Sequence, residues 1–183
     1  MIQRYQVDKN HSRLGFSAKH LGVSTVRGQF LKFDGWLEGE LEDPTSVTGQ
    51  GIVEVASLTT GVEMRDNHLR SPDFFEAEKY PAMTFTLTGI EPLGGDSYRV
   101  DGDLTIKQTT RPITFDATLE GRIPDPFGGA ERVGVSAAGQ LNRMDFGLNW
   151  DGLAGAIPIA AHTIRFEIDL ALVAPAIEVA KAS

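Results

Sequence analysis

The 183-residue chain contains no cysteine, and its cations are outnumbered. Without cysteine it forms neither disulfides nor thiolate metal sites. Its 17 lysines and arginines stand against 25 aspartates and glutamates, which gives a net charge of −8 at pH 7. Because an acidic surface repels phosphate backbones, we expect no nucleic-acid partner.

Long apolar runs are also missing. No window approaches the roughly 18 apolar residues of a membrane-spanning helix, so we expect no transmembrane segment. The start of the chain, from Met1 to Asp8, has neither the basic region nor the apolar run of a signal peptide. The expected location is therefore the cytoplasm, and the periplasm only if the sequence is a trimmed mature form.

Catalytic motifs are absent as well. The chain has no Gly-x-Ser-x-Gly elbow, phosphate-binding loop or dinucleotide fingerprint. Its four histidines lack the His-x-His or His-x-x-x-His spacing of a metal site, and the pair Asp66 and His68 is too common to indicate one. We expect no catalytic residue, no metal and no required cofactor.

What the chain has in abundance is alternation of apolar and polar residues with a period of two, which is typical of half-buried β-strands. The alternating segments cover residues 14–20, 26–41, 47–55, 83–87, 98–106, 113–121, 133–141 and 162–172. This pattern predicts one all-β domain over residues 1–173, an antiparallel barrel of about eight strands. Residues 174–183 are expected to form a loose or short helical tail.

One shift of parity occurs inside the second segment. Phe30 and Phe33 carry the apolar pattern on either side of Leu31 and Lys32. A β-bulge at these two residues would absorb the extra residue and keep both phenylalanines on one face of the sheet.

A single segment departs from the strand pattern altogether. Thr60 and Glu63 have the spacing of a capping box, which predicts a short helix over residues 61–70. Ser71 and Pro72 are the residue types of an N-cap and a first helical position, so they predict a second helical turn. A helix inserted once between strands is expected to plug or cover one end of the barrel.

Glycine is the most over-represented residue, with 20 in the chain. Many glycines share a face with the large apolar residues, and Ala18, Ala117 and Ala137 join them. These glycines are Gly28, Gly35, Gly39, Gly49, Gly51, Gly102, Gly121 and Gly139. Because filled interiors are close-packed, small inward residues favour a barrel that encloses a narrow apolar tunnel. The alternative is that glycine relieves crowding where strands bend.

Polar candidates accompany the tunnel. His20 and His162 share parity with apolar residues, so they lie either at the mouth of the tunnel, holding a ligand head, or at strand ends with a structural role. The segment from Arg65 to Arg70 is dense in charge. It is either a cationic site for a phosphate or carbonyl head group or a solvated helix face.

Motifs along nearly the whole chain resemble the YceI family of lipocalin-like, polyisoprenoid-binding proteins. They are Asp8-Lys9-Asn10-His11-Ser12, Lys19-His20-Leu21-Gly22-Val23-Ser24, Gly28-x-Phe30-x-x-Phe33-x-Gly35, Arg65-Asp66-x-His68-Leu69-x-Ser71-x-Asp73-Phe74-Phe75, Tyr80-Pro81-x-Met83-x-Phe85, Leu104-Thr105-Ile106-Lys107, Thr110-Arg111-Pro112-Ile113 and Phe146-Gly147-Leu148. The resemblance implies an extended eight-stranded antiparallel barrel that holds an isoprenoid chain, such as a polyprenyl phosphate or a quinone tail, often in a homodimer. Gln108 departs from the family pattern, which usually has glycine there, and this departure changes a turn.

The expected function is to bind and carry or store a long-chain isoprenoid or fatty-chain lipid. The candidate ligand-binding residues are Phe16, His20, Phe30, Phe33, Arg65, His68, Leu69, Phe74, Phe85, Leu104, Phe115, Phe146, Trp150, His162 and Phe166. A homodimer contact is expected at Trp36, on the outward face beside Leu31. The alternatives are an enzyme acting on a lipid or quinone with His20 or His68 as base, and a ligand-free structural or stress-response barrel.

Overall fold

The computed structural model describes residues 2–40 and 42–175. The strands among these residues are β1 (Gln3–Val7), β2 (Arg13–His20), β3 (Ser24–Phe30), β4 (Phe33–Glu40), β5 (Asp43–Glu54), β6 (Leu58–Thr59), β7 (Ala82–Gly94), β8 (Ser97–Ile106), β9 (Thr109–Pro124), β10 (Glu131–Asn142), β11 (Leu153–Ala154), β12 (Ile157–Pro158) and β13 (Ala160–Ala174). The helix α1 covers Glu63–Arg70, and short 3-10 helices cover Val55–Ser57 and Arg143–Phe146.

These strands close into an eight-stranded antiparallel barrel. Strands β1 and β2 run end to end along β13, and β3 and β4 run end to end beside them. The remaining walls are β5, β7, β8, β9, β10 and β13, each paired with its neighbour in that order. The predicted barrel with one short helix is confirmed. No helix of the described residues is long and apolar enough to cross a membrane.

The break between β1 and β2 is hydrogen-bonded to β13 through one amide and one side chain, and to β10 through a second side chain. The Asp8 amide donates to the Ala171 carbonyl at 2.8 Å, and the Ser12 hydroxyl accepts from the Ala171 amide at 2.9 Å. The carboxylate of Asp8 accepts from Arg132 at 2.8 Å and contacts His11 at 2.9 Å. The Asp8-to-Ser12 motif therefore keeps the wall continuous where the ladder of strand hydrogen bonds is broken.

We expect the contacts of Asp8 at this break to weaken in acid. Hydrogen bonds from Arg132, then from His11, lower the pKa of Asp8 from its usual 3.8 to about 2. A depressed carboxyl pKa stabilises the fold above pH 3.8, and this contribution is lost as the pH falls towards 2. In urea unfolding, Asp8→Asn should cost on the order of 1–2 kcal/mol at pH 6 and almost nothing at pH 2.

Asp103→Asn is the control for this experiment, because Asp103 lies exposed on the outer face of β8. It should change the free energy of unfolding by less than about 0.5 kcal/mol at either pH. If Asp8→Asn lowers the free energy of unfolding equally at both pH values, the charge of the carboxylate does not stabilise the break between β1 and β2.

The break between β3 and β4 has the same effect on side-chain direction as the predicted bulge. Strand β3 ends at Phe30, β4 begins at Phe33, and Leu31 lies between them with 60% of its surface exposed. The Lys32 carbonyl accepts from the Glu54 amide at 2.9 Å, which holds the break against the end of β5. Both phenylalanines line the barrel interior, as the parity shift predicts, although a gap in the strand replaces the predicted bulge.

True bulges elsewhere reverse two of the sequence predictions. The register of β13 against β2 shifts between Ala160 and Ile164, so His162 leaves the interior and contacts Asp151 on the outside at 2.9 Å. The register of β10 against β9 shifts after Gly134, and Gly121 is exposed beside it. In β9 one extra residue turns the following side chains to the other face, and in β13 two extra residues lie opposite the end of β2.

The helical segment differs from its sequence prediction. Helix α1 begins at Glu63 and has no side-chain cap, so the predicted capping box does not form. The Thr60 hydroxyl donates to Asp66 instead, at 2.5 Å. Ser71 is the C-cap of α1 and its hydroxyl donates to the His68 carbonyl at 2.7 Å, so residues 71–75 form a turn rather than a second helix.

Two features complete the outline. The β8–β9 turn consists of Lys107 and Gln108, and Lys107 has a φ of 55°, in the region that favours glycine. The Lys107 ammonium group donates to the Phe74 carbonyl at 3.2 Å and so ties this turn to the segment after α1.

Ala174, which the sequence places in the tail, is the last residue of β13 and fully buried. The rest of the predicted tail, 176–183, lies outside the described residues.

The packed core lies at the two ends of the barrel and leaves its middle open. At the end that carries α1, which we call the helix end, a cluster of buried side chains plugs part of the opening. It comprises Val55, Ala77, Met83, Ile106, Phe146 and Leu148. The opposite end, which holds the chain termini of β1 and β13, is filled by Tyr5, Val7, Val133, Leu172 and Ala174. Native interiors are close-packed, so the empty space between two such clusters requires an explanation.

Candidate ligand-binding cavity

A cavity of about 610 Å³ fills the middle of the barrel. Its lining on β13 extends from Ala160 to Leu172, which at about 3.3 Å per residue and a strand tilt of about 40° corresponds to roughly 30 Å along the barrel axis. A sphere of that volume would be only about 10 Å across, so the cavity is long and narrow. Its wall is almost wholly apolar, which matches the predicted tunnel.

Phenylalanine rings form much of the wall, and glycines lie behind them. Phe16 pairs with Gly28 across two strands, and Phe166 pairs with Gly139. A methyl group built on either glycine would overlap the facing ring. The glycines therefore let the rings lie flat against the sheet instead of projecting across the lumen.

A third ring follows the same arrangement. Phe85 covers Gly102, and Phe115 bridges Phe85 and Phe166 with ring centroids 5.8 Å and 5.5 Å away. The hollow interior predicted from glycine is present, but these glycines make space for rings, and the flat rings leave space for a ligand. Substitution of Gly102 would disturb the barrel itself, because a side chain there would also lie 2.8 Å from the Thr86 carbonyl oxygen.

Helix α1 supplies polar groups to the helix end of the cavity. Arg65 lines the cavity and is held by Thr60, whose hydroxyl and carbonyl accept from its guanidinium at 2.7 Å and 3.0 Å. Asp66 is buried; burial alone would raise its pKa, but hydrogen bonds from Thr60 and Thr59 outweigh this and the pKa lies below its usual value. The charged segment is therefore mixed: Asp66 anchors the helix, and Arg65 faces the ligand space.

His68 belongs to an aromatic cluster at the same end. Its ring lies edge-on to Phe74 and to Trp150, with centroids 5.1 Å away in each case, and its Nε2 contacts Asp73 at 2.9 Å. Phe74 and Trp150 are themselves 5.4 Å apart. All three rings line the cavity, so this cluster narrows it where α1 meets the segment that carries Trp150.

Arg143 is a cavity residue that the sequence analysis missed. It is 2% exposed, and its guanidinium donates to the carbonyls of Leu148, Ala160 and Ala161. The nearest carboxylate, Asp151, lies 4.0 Å away, and burial lowers the pKa of Arg143. Arg143 therefore holds in place the segment around Leu148 and Ala160, which borders the mouth of the cavity. In the sequence, only its position directly after a strand could have indicated this role.

Most of the predicted ligand-binding residues meet in this one cavity. Those lining it are Phe16, His20, Phe30, Phe33, Arg65, His68, Leu69, Phe74, Phe85, Leu104, Phe115, Trp150 and Phe166. Two of the predicted residues do not line it. Phe146 is 2% exposed because it packs in the helix-end cluster, and His162 is turned outward by the β13 bulge. Lys19, which was not predicted, also lines the mouth.

The polar groups of the described residues were compared with the arrangements that bind metals or activate a nucleophile. In residues 2–40 and 42–175, no group of three or more His, Asp or Glu side chains could hold a metal ion. Three histidines pair with an aspartate, but in the described part of the chain no hydroxyl hydrogen-bonds any of their rings. The cavity offers apolar volume and a few cations at one end.

Comparison with known proteins identifies the fold family. A family model described as a YceI-like domain matches residues 5–174. The chain belongs to the YceI-like family. Among its relatives, a UPF0312 protein of Photorhabdus laumondii is 38% identical over 153 residues, which cover 82% of this chain and 79% of that protein. Protein YceI of Escherichia coli O157:H7 is 37% identical over 149 residues, 80% of this chain and 77% of the relative.

Solved structures of similar shape agree with this assignment. The Campylobacter jejuni YCEI protein has a TM-score of 0.73 and 29% identity, over 85% of this YceI-like chain and 88% of its own. BcnA of Burkholderia cenocepacia has a TM-score of 0.78 at 24% identity, over 90% and 98%. A polyisoprenoid binding domain from Saccharophagus degradans has a TM-score of 0.70 at 17% identity, over 93% and 98%. The last two similarities show the fold alone.

Proposed function

We propose that this YceI-like protein binds a long-chain apolar ligand, an isoprenoid or a fatty-chain lipid, inside its barrel and carries or stores it without chemical change. The observation that carries the proposal is the cavity, about 610 Å³ in volume, roughly 30 Å long and lined by apolar side chains. A chain-like molecule fills such a space, whereas a compact one leaves most of it empty. The polyisoprenoid binding domain of similar fold supports this choice.

The energetics favour a long chain. Each buried methylene contributes about 0.8 kcal/mol, and immobilising a ligand costs about 4–15 kcal/mol. A ten-carbon chain therefore roughly breaks even, and only a substantially longer chain binds tightly. A cavity of this length can accept such a chain along its whole axis.

The cations at the helix end suggest the chemistry of the ligand head. Lys19 and Arg65 line the cavity there, and neither has a carboxylate within ion-pair distance among the described residues. His20 and His68 lie at the same end. We propose that this end holds a phosphate or carbonyl head group, the kind of acceptor that an arginine fork and an ammonium group bind best.

Native mass spectrometry of protein purified without detergent tests the proposal directly. The expected result is a mass above that of the polypeptide, which organic extraction then identifies as an isoprenoid or fatty chain. If the protein is purified without ligand, titration with a long-chain quinone and a polyprenyl phosphate should give saturable binding. Failure to bind either probe would contradict the carrier function and favour the ligand-free barrel.

The proposed homodimer remains a prediction. The expected contact residue Trp36 lies on the outer wall, where the Arg4 guanidinium covers its ring at 4.0 Å from the centroid. Leu31, which the sequence analysis places beside it, is 60% exposed. A dimer formed here would have to move Arg4 or bury it with the indole.

A further inference from the structure

Five large apolar side chains are exposed on three segments at the helix end of the barrel. We call them the apolar rim: Val23, Val62, Met64, Leu153 and Ile157. Val23 and Met64 are each 82% exposed. Contiguous exposed apolar side chains on a protein of this size usually mark an interaction surface.

The first and third segments are hydrogen-bonded together. Val23 lies in the turn between β2 and β3, and the Leu21 amide in this turn donates to the Ile159 carbonyl at 3.0 Å. Ile159 in turn donates to the Gly152 carbonyl at 2.9 Å, which closes the short β11–β12 hairpin that carries Leu153 and Ile157. The turn and the hairpin therefore form one continuous edge.

The second segment approaches the same edge. Strand β6 runs antiparallel to β3, with Leu58 opposite Phe30, so the chain that follows β6 heads towards the β2–β3 turn. Helix α1 starts there with Val62 as its N-cap and then returns, because the Arg70 guanidinium donates to the Leu58 carbonyl. Val62 and Met64 thus lie at the outer end of the helix, on the side of Val23.

The rim surrounds the polar end of the cavity. Neighbours of the rim along the chain, His20, Arg65 and Ile159, line the cavity, whereas the rim side chains themselves do not. The opposite end of the barrel is charged and internally paired, as Arg122 with Glu131 and Arg132 with Asp8 show. Ile2, Ile123 and Phe127 are exposed at that opposite end as well, but there they do not border the open part of the cavity.

We propose that the apolar rim docks on an anionic lipid bilayer, so that a chain ligand passes between membrane and cavity without crossing water. This inference rests on the proposed function. Exposed apolar side chains beside cations are the combination that inserts into a lipid interface, and Lys19 and Arg65 supply the cations here. Exposed carboxylates also lie at this end; Asp73 and Asp151 contact His68 and His162, and Glu63 lies on α1.

Vesicle flotation tests the docking. Wild-type protein should float with vesicles of phosphatidylcholine and phosphatidylglycerol, and less with phosphatidylcholine alone or at high salt. The double variant Val23→Asp, Met64→Asp should bind the mixed vesicles about tenfold more weakly. The control is Phe127→Asp at the opposite end, because Phe127 is 84% exposed and matches the rim in accessibility. It should float as the wild type does.

A second readout separates this docking from the proposed function. Binding of a long-chain quinone added from ethanol needs no membrane, so wild type and rim variant should bind it equally. Transfer of the same quinone from vesicles should be about tenfold slower for the rim variant only. The docking proposal is overturned if the wild type binds quinone but does not float. It is also overturned if the rim variant floats like the Phe127 control. Wild type that floats but takes up no quinone overturns the carrier function alone.

Discussion

Ala137→Trp should block the cavity halfway along its length and lower the affinity for a long-chain isoprenoid by about a hundredfold or more. Ala137 lies near the middle of β10, opposite Ala117 and Ile168, and all three side chains line the cavity. An indole at this point enters the empty lumen rather than a packed core, so the barrel should still fold. The measurement is a fluorescence or calorimetric titration with a long and a short chain that carry the same head group.

Its control is the next residue along the strand. Ala138 is exposed on the outer wall and pairs in the same ladder with Asp116 and Glu167. Ala138→Trp should leave ligand affinity and the melting temperature close to those of the wild type. Because the block is halfway along, Ala137→Trp should also bind short and long chains with similar affinity. If it still prefers the long chain, the ligand does not occupy the barrel axis.

Affinity should rise with the number of isoprene units at a constant head group and then level off. Each additional unit buries about five carbons, and at about 0.8 kcal/mol per methylene the upper limit of the gain is several kcal/mol per unit. Conformational entropy of the chain offsets part of this gain, so we expect ten- to hundredfold per unit, in order of magnitude. The rise should stop when the chain fills roughly 30 Å of barrel.

A homologous series of quinones, measured at constant temperature and salt, tests this length dependence. Saturated and branched chains of equal carbon number serve as the control for shape, because a narrow cavity discriminates between them and an open apolar surface does not. Equal affinity throughout the series would mean that the head group and the cations near Arg65, rather than the chain, supply the binding free energy. A rise without a plateau would mean that the chain extends beyond the cavity.

The sequence determined the wall of this protein because alternation is a local property. Phe16, Phe85 and Phe166 face inward since their strands alternate in composition, and no knowledge of strand neighbours is needed to see it. The abundance of glycine on the same face likewise indicated a hollow barrel. The helical segment after β6 was located, but its capping residues were not, because Thr60 has the alternative of bonding the buried Asp66.

Cross-strand register decided what alternation alone could not. Two extra residues in β13 turned His162 away from the cavity, and one in β9 left Gly121 outside it, although both fit the inward pattern of the sequence. Such shifts depend on pairing between strands that are distant in the chain. The local pattern within either strand therefore does not contain them.

The mouth of the cavity is the part that only the tertiary structure could assemble. Lys19, Arg65 and Trp150 come from three separate segments, and the buried Arg143 holds the third segment in place through carbonyl groups rather than side chains. Every residue has a backbone carbonyl, so the sequence does not indicate which carbonyls accept from Arg143. Neither the role of Arg143 nor the arrangement around it could therefore be predicted. The sequence by itself determined a hollow apolar barrel; which end opens, and which polar groups surround that end, follows from contacts between residues far apart in the chain.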